Sequence, residues 1–224
     1  MFQTNPFLLI TLFVGLSLLP FVAMIATSYL KLVVVMSLIR NALGIQSIPP
    51  NMVINALAMI LTFYIMAPTM SESWQIAQRE LSTTQPPNHP TTQLPLETDA
   101  IAKAAEPFRK FLSDHTSERE RAFFVNTAEN LWGKDGEPAK VDSESFYILL
   151  PSFCVSELTK SFQIGFLVYL PFIAIDIIVS NILLAMGMMM VSPVTISLPF
   201  KLLLFVMVDG WTLLIQGLVR GYML

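Results

Sequence analysis

Asp176, Lys201 and Asp209 are the only charged side chains between residues 161 and 219. On insertion scales a charge at the centre of an apolar helix costs roughly 2.5–3.5 kcal/mol, so each demands a reason. Three chemistries would supply one: a buried ion pair that holds helices together, a relay for protons, or a charge facing a wet pore. Lys201 can extend its stem toward an interface, but Asp209, near the middle of its apolar run, has less freedom. Eight residues separate Lys201 from Asp209, about 12 Å along a helix and about 80° around it, so they cannot pair within one helix. Their partners must come from other helices or other subunits, such as Lys31, Arg40 or Lys160. Glu157 and Lys160, at i,i+3 on an expected helix, share a face. They read either as a modest interfacial pair or as a contact between subunits.

A second cluster is apolar. Met186-Gly187-Met188-Met189-Met190 closes a long apolar run and leads into Val191-Ser192-Pro193. Methionine is unbranched and polarizable, and it fills irregular gaps. Gly187 frees the backbone and Pro193 fixes it. The residues suit a deformable apolar seal, while composition alone favours the plainer reading of a Met-rich helix end packed in a core. No nucleophile–base set, Walker loop, G-x-G-x-x-G or H-E-x-x-H occurs, which argues against an enzyme. Cys154 is the single cysteine and reads as a buried, inert thiol. His89 and His115 stand apart from other ligands, so neither metal nor cofactor is implied.

These residues must be positioned by helices. The 224 residues are 54% hydrophobic and 13% charged, about half the usual charged share of a soluble domain. Residues 71–145 hold 21 of the 29 charges. The expectation is an all-α, integral membrane-type fold with helical hairpins at 1–70 and 146–224 and a polar insert at 71–145. Four apolar blocks carry the hairpins: about 6–39, broken near Pro20; 52–70, ending near Pro68; about 161–190; and about 198–219. Runs this long exclude membrane β-strands, which are about ten residues and alternate in polarity. Small residues at Ser161…Gly165 and Gly217…Gly221 would let helices approach closely. Asn41, Asn51, Asn55 and Asn181 need hydrogen-bond partners. No basic stretch precedes the first apolar run, so a retained membrane segment is expected rather than a cleaved signal.

In the insert, 82–98 is rich in Pro, Thr and Gln and reads as a flexible linker. Apolar residues at helical spacing (Ile101, Phe108, Phe111, Leu112, Phe123, Phe124, Leu131) predict one or two amphipathic helices over 99–132, with Gly133 and Gly136 ending the second. Arg40 and Lys31 place the first hairpin turn in the cytoplasm, and the acidic insert then lies outside. No basic patch exists for nucleic acid.

Two groups of residues resemble the signatures of the FliP/SctR family. The first is Arg40-Asn41-Ala42-Leu43-Gly44, Gln46 and Pro49-Pro50-Asn51. The second runs through Ser156-Glu157-Leu158, Phe162-Gln163-Ile164-Gly165-Phe166, Leu170-Pro171-Phe172 and Ile175-Asp176. It continues through Gly187-Met188-Met189-Met190, Ser192-Pro193-Val194-Thr195-Ile196-Ser197, Pro199-Phe200-Lys201-Leu202 and Val208-Asp209-Gly210-Trp211. The resemblance covers about 6–70 and 146–220, nearly everything except the insert. The Ser192-Pro193 pair, the length and the missing signal resemble the injectisome branch.

The family is the R subunit of the type III secretion export apparatus. The resemblance implies that several R copies assemble with the small S and T subunits, and with the U and V export-gate components. The product is a helical, tapered gate for unfolded protein across the bacterial inner membrane. Much of it would sit above the bilayer plane, with the insert facing the periplasm. Met186, Met188, Met189 and Met190 would form a gasket around the closed pore. Two other readings stay open: a secondary transporter using Asp176 and Asp209 as a proton path, and a membrane scaffold without a pore.

Overall fold

The computed structural model describes residues 6–45, 48–83, 93–133, 140–188 and 190–223. Gln46, Gly136, Met189 and the 84–92 part of the Pro-rich stretch lie outside them. Among the described residues the chain is helix and turn, with no strand. The helices are α1 Pro6–Ile25, α2 Tyr29–Ala42, α3 Asn51–Thr83, α4 Gln93–Ala104, α5 Glu106–His115, α6 Glu118–Trp132, α7 Phe146–Ala185, α8 Pro193–Met207 and α9 Gly210–Arg220. On length and composition, α3 over Asn51–Glu80 and α7 can each cross a membrane, and α8 with α9 qualify together as a bent pair at 59°. With Phe13–Ile25 and Tyr29–Ala42 counted as a further broken span, up to four spans result.

Several block boundaries differ from the sequence reading. The first block breaks at Ala26–Ser28, not at Pro20, which α1 accommodates. Thr27 holds that break: its Oγ1 donates to the Ala23 carbonyl at 2.7 Å and accepts the Tyr29 N–H at 3.4 Å. Helix α3 runs through Pro68 to Thr83, and Ser71 Oγ donates to the Pro68 carbonyl. Proline at 68 removes the donor for the carbonyl four residues earlier and crowds the previous turn, yet the helix continues through it. Helix α7 begins at Phe146, well before the expected block, and spans 40 residues, about 60 Å. The fourth block is two helices, because Val208 and Asp209 leave the helical path.

The chain divides into two compact units. The first comprises Met1–Leu30 and Met66–Ser156. Among the described residues, 99–132 holds the end of α4 together with α5 and α6, where one or two helices were expected, and α5 and α6 pack on the opening turns of α7. Phe111, Leu112, Ile148, Leu149 and Phe153 are buried together, with Phe111 and Phe153 ring centroids 5.8 Å apart. Arg109 lies over the Phe146 ring at 5.3 Å, and Trp132 meets Tyr147 edge-on at 5.5 Å. The Ser117 N–H, at the mouth of α6, donates to Ser156 Oγ at 2.9 Å. Ile101, Phe123 and Leu131 are exposed, so only part of the amphipathic pattern is buried in this unit.

The second unit comprises Lys31–Ile65 and Glu157–Leu224. Its core is built from α2 (Leu32, Val35, Met36, Ile39), the start of α3 (Ile54, Ala58), α7 (Phe172, Val179, Leu183) and the α8–α9 pair (Phe205, Leu214, Leu218). Gly165 of α7 faces Leu38 of α2 so closely that an added Cβ would overlap the leucine side chain. Gly165→Ala is therefore expected to cost about 1–3 kcal/mol through overpacking, read as a lowered melting temperature in detergent. Gly217→Ala should leave that temperature unchanged, since Gly217 has open space around it. The Gly217…Gly221 spacing thus marks no close approach within the chain.

Candidate functional site

The second unit holds two polar clusters inside apolar packing. Glu157 is the hub of the first. Its carboxylate is wholly buried; Oε2 meets Lys31 Nζ at 3.1 Å and Oε1 meets Lys160 Nζ at 3.4 Å. The Tyr222 hydroxyl donates to Oε2, and the Lys31 ammonium lies 3.7 Å from the centroid of the Tyr222 ring. Three segments thus converge on one carboxylate: α2, α7 and the turn after α9. Lys31 is also buried, whereas the Lys160 side chain is 40% exposed.

Asp176 is the hub of the second. Its Oδ2 meets Lys201 Nζ at 2.6 Å, and its Oδ1 accepts the Ser197 hydroxyl at 2.6 Å. Lys201 Nζ also donates to the Ala42 carbonyl at 3.3 Å, the last residue of α2. Carbonyls in the last turn of a helix lack intrahelical donors, and the macrodipole favours a cation there. One lysine therefore caps α2 while joining α8 to α7. Glu157 and Lys31 are removed from water together and keep their attraction in a low-dielectric site, whereas Asp176 stays partly wet while Lys201 is buried.

The remaining candidates fall elsewhere. Arg40 Nη1 donates to Asn51 Oδ1 and to the Pro49 carbonyl, tying the end of α2 to the start of α3. Asp209 is neither buried within the chain nor inside a helix, contrary to its expected place at mid-block. It occupies the left-handed region, at φ 50°, in the corner between α8 and α9. Aspartate tolerates that conformation better than most residues. Lys31 and Lys160, considered as partners for Lys201 or Asp209, meet Glu157 instead. Sequence reasoning missed Tyr222 altogether; a polar aromatic beyond the last apolar block carried no sign of its contact. Asn41, Asn55 and Asn181 are exposed in the chain.

The methionine segment is a built turn. The Gly187 N–H donates to the Leu184 carbonyl at 3.0 Å and the Met188 N–H to the Leu183 carbonyl at 2.9 Å. Gly187 has φ 74°. This is a Schellman motif, in which glycine takes the left-handed position and two orphan carbonyls are satisfied. It stops α7 at a fixed point and turns the chain outward. Met186 is 65% exposed, Met188 41% and Met190 fully exposed.

These features define a class, a helical membrane protein with charges paired inside and an apolar methionine turn outside. Comparison with known proteins makes the assignment specific. The FliP family pattern matches residues 12–218. The chain is 51% identical over 208 residues to the Yop proteins translocation protein R of Yersinia pestis, covering 92% of each. It is 46% identical over 214 residues to the hypersensitivity response secretion protein HrcR of Ralstonia nicotianae, covering 96% of each. It is 45% identical over 222 residues to the virulence protein YscR of Salmonella typhimurium, covering 97% of each. The chain therefore belongs to the FliP family, as an R subunit of the type III secretion export apparatus on the injectisome branch.

Proposed function

We propose that this chain is a pore-forming subunit of a gated channel that passes unfolded protein across the bacterial inner membrane. Several copies assemble with the small S and T subunits and with the U and V components, and the energy comes from partners. The observation that carries this reading is the exposed methionine turn on a fixed helix end. Met186, Met188, Met189 and Met190 of successive copies meet around the pore as a gasket. A thioether seal closes on itself at rest and conforms to a varied passing chain.

Two further features support it. Large apolar side chains along α7, among them Phe162, Phe166, Ile177, Ile178 and Ile182, are exposed in the single chain and suit burial against neighbouring subunits. Helix α7, at about 60 Å, is twice the thickness of a hydrocarbon core of about 30 Å, so part of it lies beyond lipid. The acidic insert then faces the periplasm, with the assembled gate partly above the bilayer. A proton path through Asp176 and Asp209 has less support: Asp176 is held by Lys201 and Ser197, and Asp209 sits exposed at a helix corner.

Replacing Met188, Met189 and Met190 with glycine is expected to raise ion conductance through the assembled complex at rest while leaving assembly intact. Planar-bilayer or membrane-potential recordings test this. Wild-type conductance in an assembled triple variant overturns the gasket.

A further inference from the structure

We infer that the turn after α9 is a latch, in which Tyr222 fastened to Glu157 and Lys31 holds α9 closed about the α8–α9 corner. Helix α9 is short, Gly210–Arg220, and buries only Leu214 and Leu218. A helix below about 12–15 residues is marginal on its own, so its ends must be secured by tertiary contacts.

Both ends are secured, by different means. At the corner, the Phe205 ring stands edge-on to Trp211 with centroids 5.5 Å apart and tilted to Phe172 at 6.4 Å. A Cβ on Gly210 would overlap the edge of that same Phe205 ring. Asp209 in the left-handed region completes a bend of 59°. This end is a tight steric corner, held by ring packing.

The far end is polar. The Tyr222 hydroxyl donates to the Glu157 carboxylate, and its ring lies against the Lys31 ammonium. Glu157 belongs to α7 and Lys31 to α2, both held by apolar packing of their own. Tyr222 links the α9 end to these two helices through its hydroxyl and its ring. Its neighbours Gly221 and Met223 are exposed and add no apolar anchor. Segments with few buried apolar contacts open first, and here the Tyr222 phenol fastens such a segment to α7 and α2. Releasing it frees α9 without disturbing the Glu157–Lys31 pair, so the unit can reshape one edge while its ionic core persists.

The test is amide hydrogen exchange on the purified membrane complex, comparing wild type with Tyr222→Phe and Tyr222→Ala. Tyr222→Phe keeps the ring under Lys31 and removes only the hydroxyl, so the fold survives. Exchange over residues 210–221 is expected to rise about tenfold in Tyr222→Phe, the loss of one hydrogen bond to a charged group, and further in Tyr222→Ala. Exchange in α2 and in α7 should stay within twofold of wild type. No rise over 210–221 in either variant overturns the latch. A rise of similar size across α2 and α7 also overturns it, since Tyr222 would then be an ordinary part of the shared core.

Discussion

Replacing Glu157 with alanine is expected to cost about 3–5 kcal/mol, the penalty for leaving a buried charge without its partner. A domain is stable by only about 5–15 kcal/mol, so the change should deplete the protein from membranes or lower its melting temperature sharply. Lys31, 5% exposed, would lose its ion-pair partner Glu157, and the Tyr222 hydroxyl would lose that acceptor. Glu157→Gln should be milder, because the amide oxygen still accepts from Tyr222 although the Lys31 charge goes unpaired. Lys160→Ala should be milder again, at most about 1 kcal/mol, because its half-exposed ammonium stays in reach of water. Thermal melts of the purified chain in detergent would rank the three variants. Equal effects from Glu157→Ala and Lys160→Ala would defeat the assignment of Glu157 as the hub.

The sequence disclosed the helices well and their ends poorly, for a physical reason. A charge-free run of twenty or more residues has only one outcome in lipid, since backbone groups there must be satisfied internally. Hence the all-α class and the apolar blocks were legible. Ends are set by finer balances. Pro20, Pro68 and Pro199 stand inside helices although each removes a backbone donor. The real break, at Val208–Asp209, has an aspartate–glycine pair as its only local sign. Hydropathy does not register that pair, so Asp209 looked like a buried mid-helix charge. The insert hid its extent for a related reason: α7 begins at Phe146 with an aromatic and aliphatic face that serves α5 as much as the membrane.

The candidate site was legible as a set of residue types and opaque as a set of pairs. Eight charges in 149 apolar residues advertise themselves, and Glu157–Lys160 follows from helical spacing alone. Lys31 with Glu157, and Tyr222 with both, join positions more than sixty residues apart along the chain, which spacing cannot encode. The methionine turn sits between these extremes. Gly187 marked a helix end, but its left-handed backbone and the outward course of Met188 and Met190 needed the three-dimensional path.

Asp176 and Lys201 allow structure and transport to be separated. Asp176→Ala should cost about 3–5 kcal/mol, because Lys201, 4% exposed, is left charged with only the Ala42 carbonyl. Lys201→Met should cost less. Asp176 is 33% exposed and keeps the Ser197 hydroxyl, so its charge retains water and one donor. Combining Asp176→Leu with Lys201→Met removes both charges and keeps similar volume, a replacement that is often neutral or stabilising for buried pairs. The double variant should therefore melt closer to wild type than Asp176→Ala does, giving a coupling of about 1–3 kcal/mol between the sites. Additive losses would show that the two residues act independently and that their 2.6 Å contact contributes little. Secretion measured in the stable double variant then divides the remaining roles. Retained secretion makes the pair a clasp between α7, α8 and the end of α2. Lost secretion from a chain that still folds and assembles means that one of these charges also serves the path of the exported protein.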